Sequence, residues 1–319
     1  MTTANLFYGD SLDAYNTWES PTTIISDGAY GIGGFDGDPK QTNDLVEWYT
    51  PHVKEWSKAA TNQTSLWFWN TEVGWATCHN ILLENNWQYV QLITWDKGIG
   101  HVAGNVNGST IRRFPVATEV TALYVRPQEI VLNDNHTITI QNWLRTEWKR
   151  AGLTLNEANK ACGVKNAASR KWLTNDSMWY MPPTEMFLLL QEYANKNGKP
   201  TGKPYFDLPS DMDTAKKWSR LRSKWNHQHG YTNVWQTSPL KNAERVKDNQ
   251  GKYLHTNQKP IELMKRQILA TSDEEDIVWE PFGGLCSASV AAKELNRVFY
   301  AAETNRTFYE AAQQRLGLN

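Results

Sequence analysis

The feature that most constrains this chain lies near its C-terminus. A β-rich run at residues 277–279 leads into Glu280-Pro281-Phe282-Gly283-Gly284, a helix start of small residues, a second β-rich run at 298–302, and then Glu303. Glycines at a strand-to-helix turn let the backbone approach a ligand closely, and an acidic residue ending the next strand can accept hydrogen bonds from both hydroxyls of a ribose. This is the arrangement of a nucleotide site in an α/β sheet. Both ends of the chain agree with it. Residues 6–9, 23–26, 65–69, 89–95 and 119–125 are also β-rich, and helix-like stretches cover 44–59, 76–84, 259–270, 287–295 and 306–316. Pro51 is expected to break the first of these helices. Such alternation predicts a doubly wound, Rossmann-like and mostly parallel sheet with helices on both faces.

A second signal is Ile24-Ile25-Ser26-Asp27-Gly28-Ala29-Tyr30-Gly31, a strand ending in a carboxylate, a short turn and an aromatic ring. Sites in open α/β sheets lie beyond the carboxyl ends of strands, where Asp27 and Tyr30 would sit. Asp-Gly is also an ordinary turn and Tyr an ordinary core residue.

The middle of the chain differs in character. Residues 141–230 hold 15 Lys and Arg against 8 Asp and Glu, while the remainder holds 18 against 26, so a total charge of −1 conceals one basic segment. Within it, residues 155–163 and 166–173 read as two short helices about a glycine turn, a spacing compatible with a helix-turn-helix and with any helical hairpin. Residues 214–229 are basic and helix-like, with Trp218 and Trp225 interleaved. Basic residues among aromatics suit a phosphate-facing surface, although tryptophans at helical spacing also serve as core anchors. The three cysteines, Cys78, Cys162 and Cys286, are scattered without metal-ligand spacing, so neither a disulfide framework nor a metal site is expected. No apolar stretch approaches the roughly 20 residues of a membrane span, and no secretion signal is visible. A cytoplasmic protein is the expectation.

Taken together, the motifs resemble those of the DNA methyltransferases that methylate exocyclic amino groups, in the permuted (beta) order with the catalytic motif before the cofactor motif. Asp27-Gly28-Ala29-Tyr30 resembles the Asp/Ser-Pro-Pro-Tyr tetrapeptide, and His255-Thr256-Asn257-Gln258-Lys259-Pro260 the His-Pro-Thr-Gln-Lys-Pro element. Glu280-Pro281-Phe282-Gly283-Gly284 resembles the Asp-Pro-Phe-x-Gly loop, Tyr8-Gly9-Asp10-Ser11-Leu12 the Gly-Asp-Ser/Cys-Leu strand end, and Trp95-Asp96-Lys97 the Trp-x-Lys strand end. Both prolines of the tetrapeptide are replaced, which removes their fixed φ. Cys286 fills the slot of a further glycine, and Glu280 replaces the more usual Asp.

The resemblance implies a methyltransferase domain in two halves, residues 1–140 (catalytic) and 231–319 (cofactor-binding), with a mostly helical target-recognition region inserted at 141–230. It implies S-adenosylmethionine as cofactor and double-stranded DNA as partner, with a cognate restriction endonuclease as a possible second one. Asp27, the Gly28 carbonyl and Tyr30 would be catalytic, the target base being flipped out and stacked on Tyr30. Asp10, His255, Thr256, Lys259, Pro260, Glu280, Phe282, Gly283, Gly284 and Glu303 would bind the cofactor, with Phe282 against the adenine and Glu303 on the ribose. Arg170 and Lys171 are candidates for groove or phosphate contacts, and Lys216, Lys217, Arg220 and Arg222 for backbone contacts. Asp at the first tetrapeptide position tilts the target towards adenine N6. Cytosine N4, favoured by Ser there, and a catalytically silent DNA-binding relative are the alternatives.

Overall fold

The computed structural model describes residues 4–34, 37–101, 109–132, 136–208, 213–240, 244–255 and 257–318. In chain order its elements are β1 (Ala4–Tyr8), α1 (Ser11–Ala14), β2 (Thr23–Ser26), α2 (Leu45–Ala59), β3 (Ser65–Asn70), α3 (Glu72–Glu84), β4 (Gln88–Asp96) and β5 (Thr118–Val125). There follow β6 (Glu129–Val131), β7 (Thr137–Thr139), α4 (Ile140–Arg150), α5 (Leu155–Ala161), α6 (Thr184–Asn197) and α7 (Thr214–Ser219). The last are β8 (Val234–Gln236), α8 (Ile261–Thr271), β9 (Ile277–Glu280), α9 (Ser287–Glu294), β10 (Val298–Glu303) and α10 (Arg306–Leu316).

Two units emerge, Met1–Arg126 with Ser223–Asn319, and Pro127–Arg222. The first is built on a sheet of order β1-β10-β9-β2-β3-β5-β4-β8. Pairing is parallel from β1 through β3, and β5 runs antiparallel to both β3 and β4. Central strand β3 shows why helices cover both faces. Trp67 and Trp69 pack with Leu263, Met264 and Ile268 of α8, whereas the alternate residues Leu66 and Phe68 join Tyr49, Val53 and Trp56 of α2 and Leu82 of α3. A strand apolar on both faces is stable only when both are covered, so the expected doubly wound α/β sheet is present.

Pro51 does not break its helix: α2 runs through it from Leu45 to Ala59. An interior proline costs roughly 3 kcal/mol. Burial of Leu45, Tyr49, His52, Val53 and Trp56 on one face outweighs that cost, since tertiary packing supplies most helix stability. The abundant tryptophans are mostly core. Trp67, Trp69, Trp56 and Trp279 are fully buried, and each indole N–H finds an acceptor: Thr271 Oγ1, Gln267 Oε1, Tyr15 OH and the Glu19 carbonyl respectively.

The second unit is helical apart from the β6–β7 hairpin, around a core that includes Trp143, Trp148, Phe187, Phe206 and Trp218. Phe187 and Trp218 stack with ring centroids 3.8 Å apart. Its limits lie before those read from sequence at both ends. Ile130 of the hairpin belongs to this core, while beyond residue 222 Lys224 pairs with Asp276 at 2.6 Å and the Asn226 amide donates to the Ala270 carbonyl, both in the first unit. The expected helix pair is shorter than its pattern suggested. A capping box of Thr154 and Glu157 starts α5, but the second member is a five-residue π-helical turn, Ala168–Trp172. Likewise the helix expected over 214–229 ends at Ser219.

Candidate active site

Parallel strands deliver their C-terminal ends to one edge of the sheet, so the segments after β1, β2, β9 and β10 share that edge. The reversal of β5 brings its beginning there too. Glu119 lies opposite Trp95 at the end of β4, and Val120 opposite Asn70 at the end of β3.

Around Asp27 this edge holds a compact ionic network. Lys259 Nζ is 2.7 Å from Asp27 Oδ1 and 2.9 Å from Glu119 Oε1, and Lys97 Nζ is 2.8 Å from Glu119 Oε2. The Tyr30 hydroxyl is 2.9 Å from Asp27 Oδ1, within hydrogen-bond reach of Glu119 Oε1, and accepts from Lys259 Nζ at 3.1 Å. Having one proton, it serves one carboxylate at a time. Lys259 and Glu119 are buried, at 4% and 7% exposure, and Asp27 and Lys97 half-buried, so two cations and two carboxylates compensate each other largely out of water. Burial disfavours ionisation of Glu119, but Lys259 and Lys97 outweigh it and hold the carboxyl down to about 2. Burial likewise opposes the charge of Lys259, and Asp27 and Glu119 reverse the balance and push its pKa up. Burial, reinforced by Asp27 and Glu119, raises Tyr30, which keeps it a neutral phenol.

Backbone anchors fix the loop from Asp27 to Gly34. The Ala29 carbonyl accepts from Tyr49 OH at 3.0 Å and Asn70 Nδ2 at 2.8 Å. Buried Asp38 accepts from the backbone amides of Tyr30, Gly31, Ile32 and Gly34 at 2.8–3.2 Å. Among the described residues none donates to the Gly28 carbonyl. A side chain at Gly28 would place Cβ 2.6 Å from the Phe282 ring and 2.9 Å from Tyr49 OH.

The turn after β9 is shaped by its own backbone. Gly284 has φ +53° and Cys286 φ +55°, left-handed values that explain why a glycine-rich sequence suits this place. The Gly283 amide donates to the Ala302 carbonyl at 2.7 Å and the Gly284 amide to Glu303 Oε2 at 2.6 Å. Glu303 Oε1 accepts from the Asn305 amide, and burial raises its pKa. A small cavity is lined by Asp27, His255, Lys259, Phe282, Gly283 and Gly284 among others. The Asn257 amide donates to His255 Nδ1 at 3.1 Å. The neutral ring therefore carries its proton on Nε2, the atom that faces Gly284.

A family model described as DNA methylase, covering amino methylation at N6 and N4, matches residues 14–314. The chain belongs to this DNA methylase family. It is 28% identical over 301 residues to the type II methyltransferase M.BglII of Bacillus subtilis, covering 92% of this chain and 62% of that protein. A shorter stretch of 94 residues is 40% identical to M.HindIII of Haemophilus influenzae, covering 30% of this chain and 29% of the relative. The chain thus matches less than two thirds of the length of these relatives. Among solved structures, the PvuII DNA methyltransferase (cytosine-N4-specific) superposes with TM-score 0.54 at 13% identity, over 98% of this chain and 87% of that one. An M1.HpyAVI–SAM complex does so with TM-score 0.50 at 15% identity, over 98% and 99% of the two chains. These likenesses establish the fold.

Several residues stand differently from the sequence reading. Lys259, expected on the cofactor side, lines the cavity but commits its ammonium to Asp27 and Glu119. Glu280 lines the cavity as well, but both its carboxylate oxygens are taken by the Ala288 and Ser289 amides and the Ser289 hydroxyl, so it also anchors the start of α9. Burial outweighs these donors and pushes Glu280 up to about 7. Phe282 lies against Trp48 and His52, with centroids 5.0 and 4.8 Å away, as well as lining the cavity. Pro260 starts α8, Asp10 caps α1 through Leu12, and neither lines the cavity. Thr256 lies outside the described residues. Arg170, Lys171, Lys216, Arg220 and Arg222 are exposed, but the Lys217 ammonium is buried and is removed from the set of phosphate contacts.

Glu119 and Asp38 were missed. The one available signal for Glu119 was a carboxylate opening an otherwise apolar strand. For Asp38 there was none beyond its place in a glycine-rich loop.

Proposed function

We propose that this methylase transfers the methyl group of S-adenosylmethionine to the exocyclic amino nitrogen of a base flipped from double-stranded DNA, adenine N6 in preference to cytosine N4. The observation that carries the reading is the single cavity shared by Asp27, His255 and the Gly283-Gly284 turn. The cofactor fits the groups around it. Gly283 and Gly284 offer close backbone approach, the His255 Nε2–H a donor for its amino-acid end, and the remaining lone pairs of Glu303 acceptors for the ribose. When bound, it supplies a methyl group activated by a sulfonium.

An exocyclic amino group is a weak nucleophile because its lone pair is delocalised into the ring. Asp27 and the unengaged Gly28 carbonyl can accept its two N–H bonds and draw the nitrogen towards tetrahedral geometry. Lys259 and the Tyr30 hydroxyl both engage Asp27 Oδ1 and so orient the carboxylate, leaving the phenol ring as a stacking face. Ser26, whose type at the first tetrapeptide position would favour cytosine, is fully buried. This supports the adenine reading.

The exposed basic residues Arg170, Lys171, Lys216, Arg220 and Arg222 are the proposed DNA contacts, giving affinity that falls with salt. An endonuclease with the same recognition sequence is the partner that the type II relatives suggest.

Incubation with tritiated S-adenosylmethionine and unmethylated DNA should label the DNA, and digestion should return N6-methyladenine. Asp27→Ala should retain cofactor binding while its single-turnover rate drops on the order of 10²–10³-fold. N4-methylcytosine in the digest would overturn the adenine assignment. Absence of any label with the wild-type chain would leave a silent DNA-binding protein as the better reading.

A further inference from the structure

We infer that Asp38 is a positioning residue that replaces the two prolines of the family's catalytic tetrapeptide. The inference rests on the reading of residues 27–30 as that tetrapeptide. Prolines stiffen a loop by fixing φ, and Gly28-Ala29 gives that up. Gly28 cannot recover it, because even a Cβ there would stand 2.6 Å from the Phe282 ring.

The rigidity comes from outside the tetrapeptide. One carboxylate, 7% exposed, receives the amides of Tyr30 and Gly31 on Oδ1 and those of Ile32 and Gly34 on Oδ2. Four donors on one anion leave the segment little freedom, since charge-assisted bonds of this kind are short and strong. Upstream, Tyr49 OH and Asn70 Nδ2 hold the Ala29 carbonyl. Gly31 adopts φ +70°, and a Cβ there would lie 2.7 Å from Thr42 Cα, so the turn also rests on the backbone before α2. Tyr30 is therefore fixed on both sides: its own amide on Asp38, and the preceding carbonyl on α2 and β3. The Gly28 carbonyl and the Asp27 carboxylate sit just before these anchors, and their aim at the amino group depends on them.

The test uses the full chain as Asp38→Asn and Tyr49→Phe. Asparagine keeps the shape but offers one acceptor oxygen and no charge. Amide hydrogen exchange should show Tyr30, Gly31, Ile32 and Gly34 protected in the wild type and unprotected in Asp38→Asn. The single-turnover methylation rate should fall about a hundredfold, the effect of a small misplacement of reacting groups, while S-adenosylmethionine affinity stays unchanged and melting temperature falls only by what the amides left without an acceptor cost. Tyr49→Phe, which removes one of two donors to Ala29 and keeps the ring, should lower the rate less. A purely structural role would instead lower cofactor affinity together with the rate. Protected amides and a wild-type rate in Asp38→Asn would overturn the inference. Should Asp38→Asn fail to fold, Asp38→Glu decides through the same measurements, because a displaced carboxylate must alter both exchange and rate if the clamp matters. A wild-type chain that labels no DNA would count against the methylation reading, and the exchange comparison would still decide the clamp.

Discussion

The loops after β2 and β9 leave neighbouring strands of one sheet and meet in one cavity, but they are held in different ways. Residues 280–286 take their shape locally: Gly284 and Cys286 turn left-handed, and the carboxylate that receives the Gly284 amide lies at the end of the next strand. Residues 27–34 draw on both ranges. Asp38 gathers the amides of residues 30–34 from a few positions away, but the other side-chain partners come from α2, β3, β5 and the segment before α8, with Lys259 reaching Asp27 across 232 positions of sequence. A turn built on backbone geometry can be recognised in a sequence and tolerates change around it. One built on distant charges is sensitive to each partner.

The strongest test of that contrast is Lys259→Met. Removing the shared cation leaves buried Glu119 with Lys97 alone and takes from half-buried Asp27 its one ion-pair partner among the described residues, a loss expected to cost roughly 3–5 kcal/mol of stability at neutral pH. The pH dependence is specific as well. Glu119 is depressed in the folded state, so its contribution is full above its ordinary value and is lost as the pH falls towards about 2. In the variant that acid-side slope should become shallower, which urea titrations between those limits would measure. An unchanged slope would mean that the network does not hold Glu119 down.

Glu303→Ala should act on the other loop. Losing the acceptor for the ribose hydroxyls and for the Gly284 amide should weaken S-adenosylmethionine binding by on the order of 1.5–3 kcal/mol in calorimetry. Methylation at saturating cofactor should be nearly retained. A rate defect that saturation does not repair would show that the two loops are coupled and the contrast drawn here is too sharp.

The smallest effect belongs to Gly284→Ala. Among the described residues a Cβ there would meet only the His255 ring, Nε2 at 3.5 Å and Cδ2 at 3.8 Å, so the cost is that of a left-handed alanine, roughly 1–2 kcal/mol. Cofactor affinity should fall accordingly while Asp27 chemistry is spared. A loss as large as that of Lys259→Met would place the local turn on the same footing as the network.

The doubly wound class, the glycine turn with Glu303 and Asp27 at a strand end were legible in the sequence, because short β-rich runs and glycine punctuation act within a few residues. Packing in the folded chain settles that Pro51 is tolerated inside α2, that the second helix of the expected pair is a short π turn, and that the Lys217 ammonium is buried. The fold also sets which charges meet at this edge. An antiparallel β5 brings the beginning of a strand to the edge where parallel strands end, so Glu119 enters the site from a position that a parallel reading excludes. Asp38 does the same through four amides that lie close in sequence but converge on it only in the folded loop. Charges and hydrogen bonds are strong over a few ångströms of space whatever the separation along the chain, and that separation is all a sequence records.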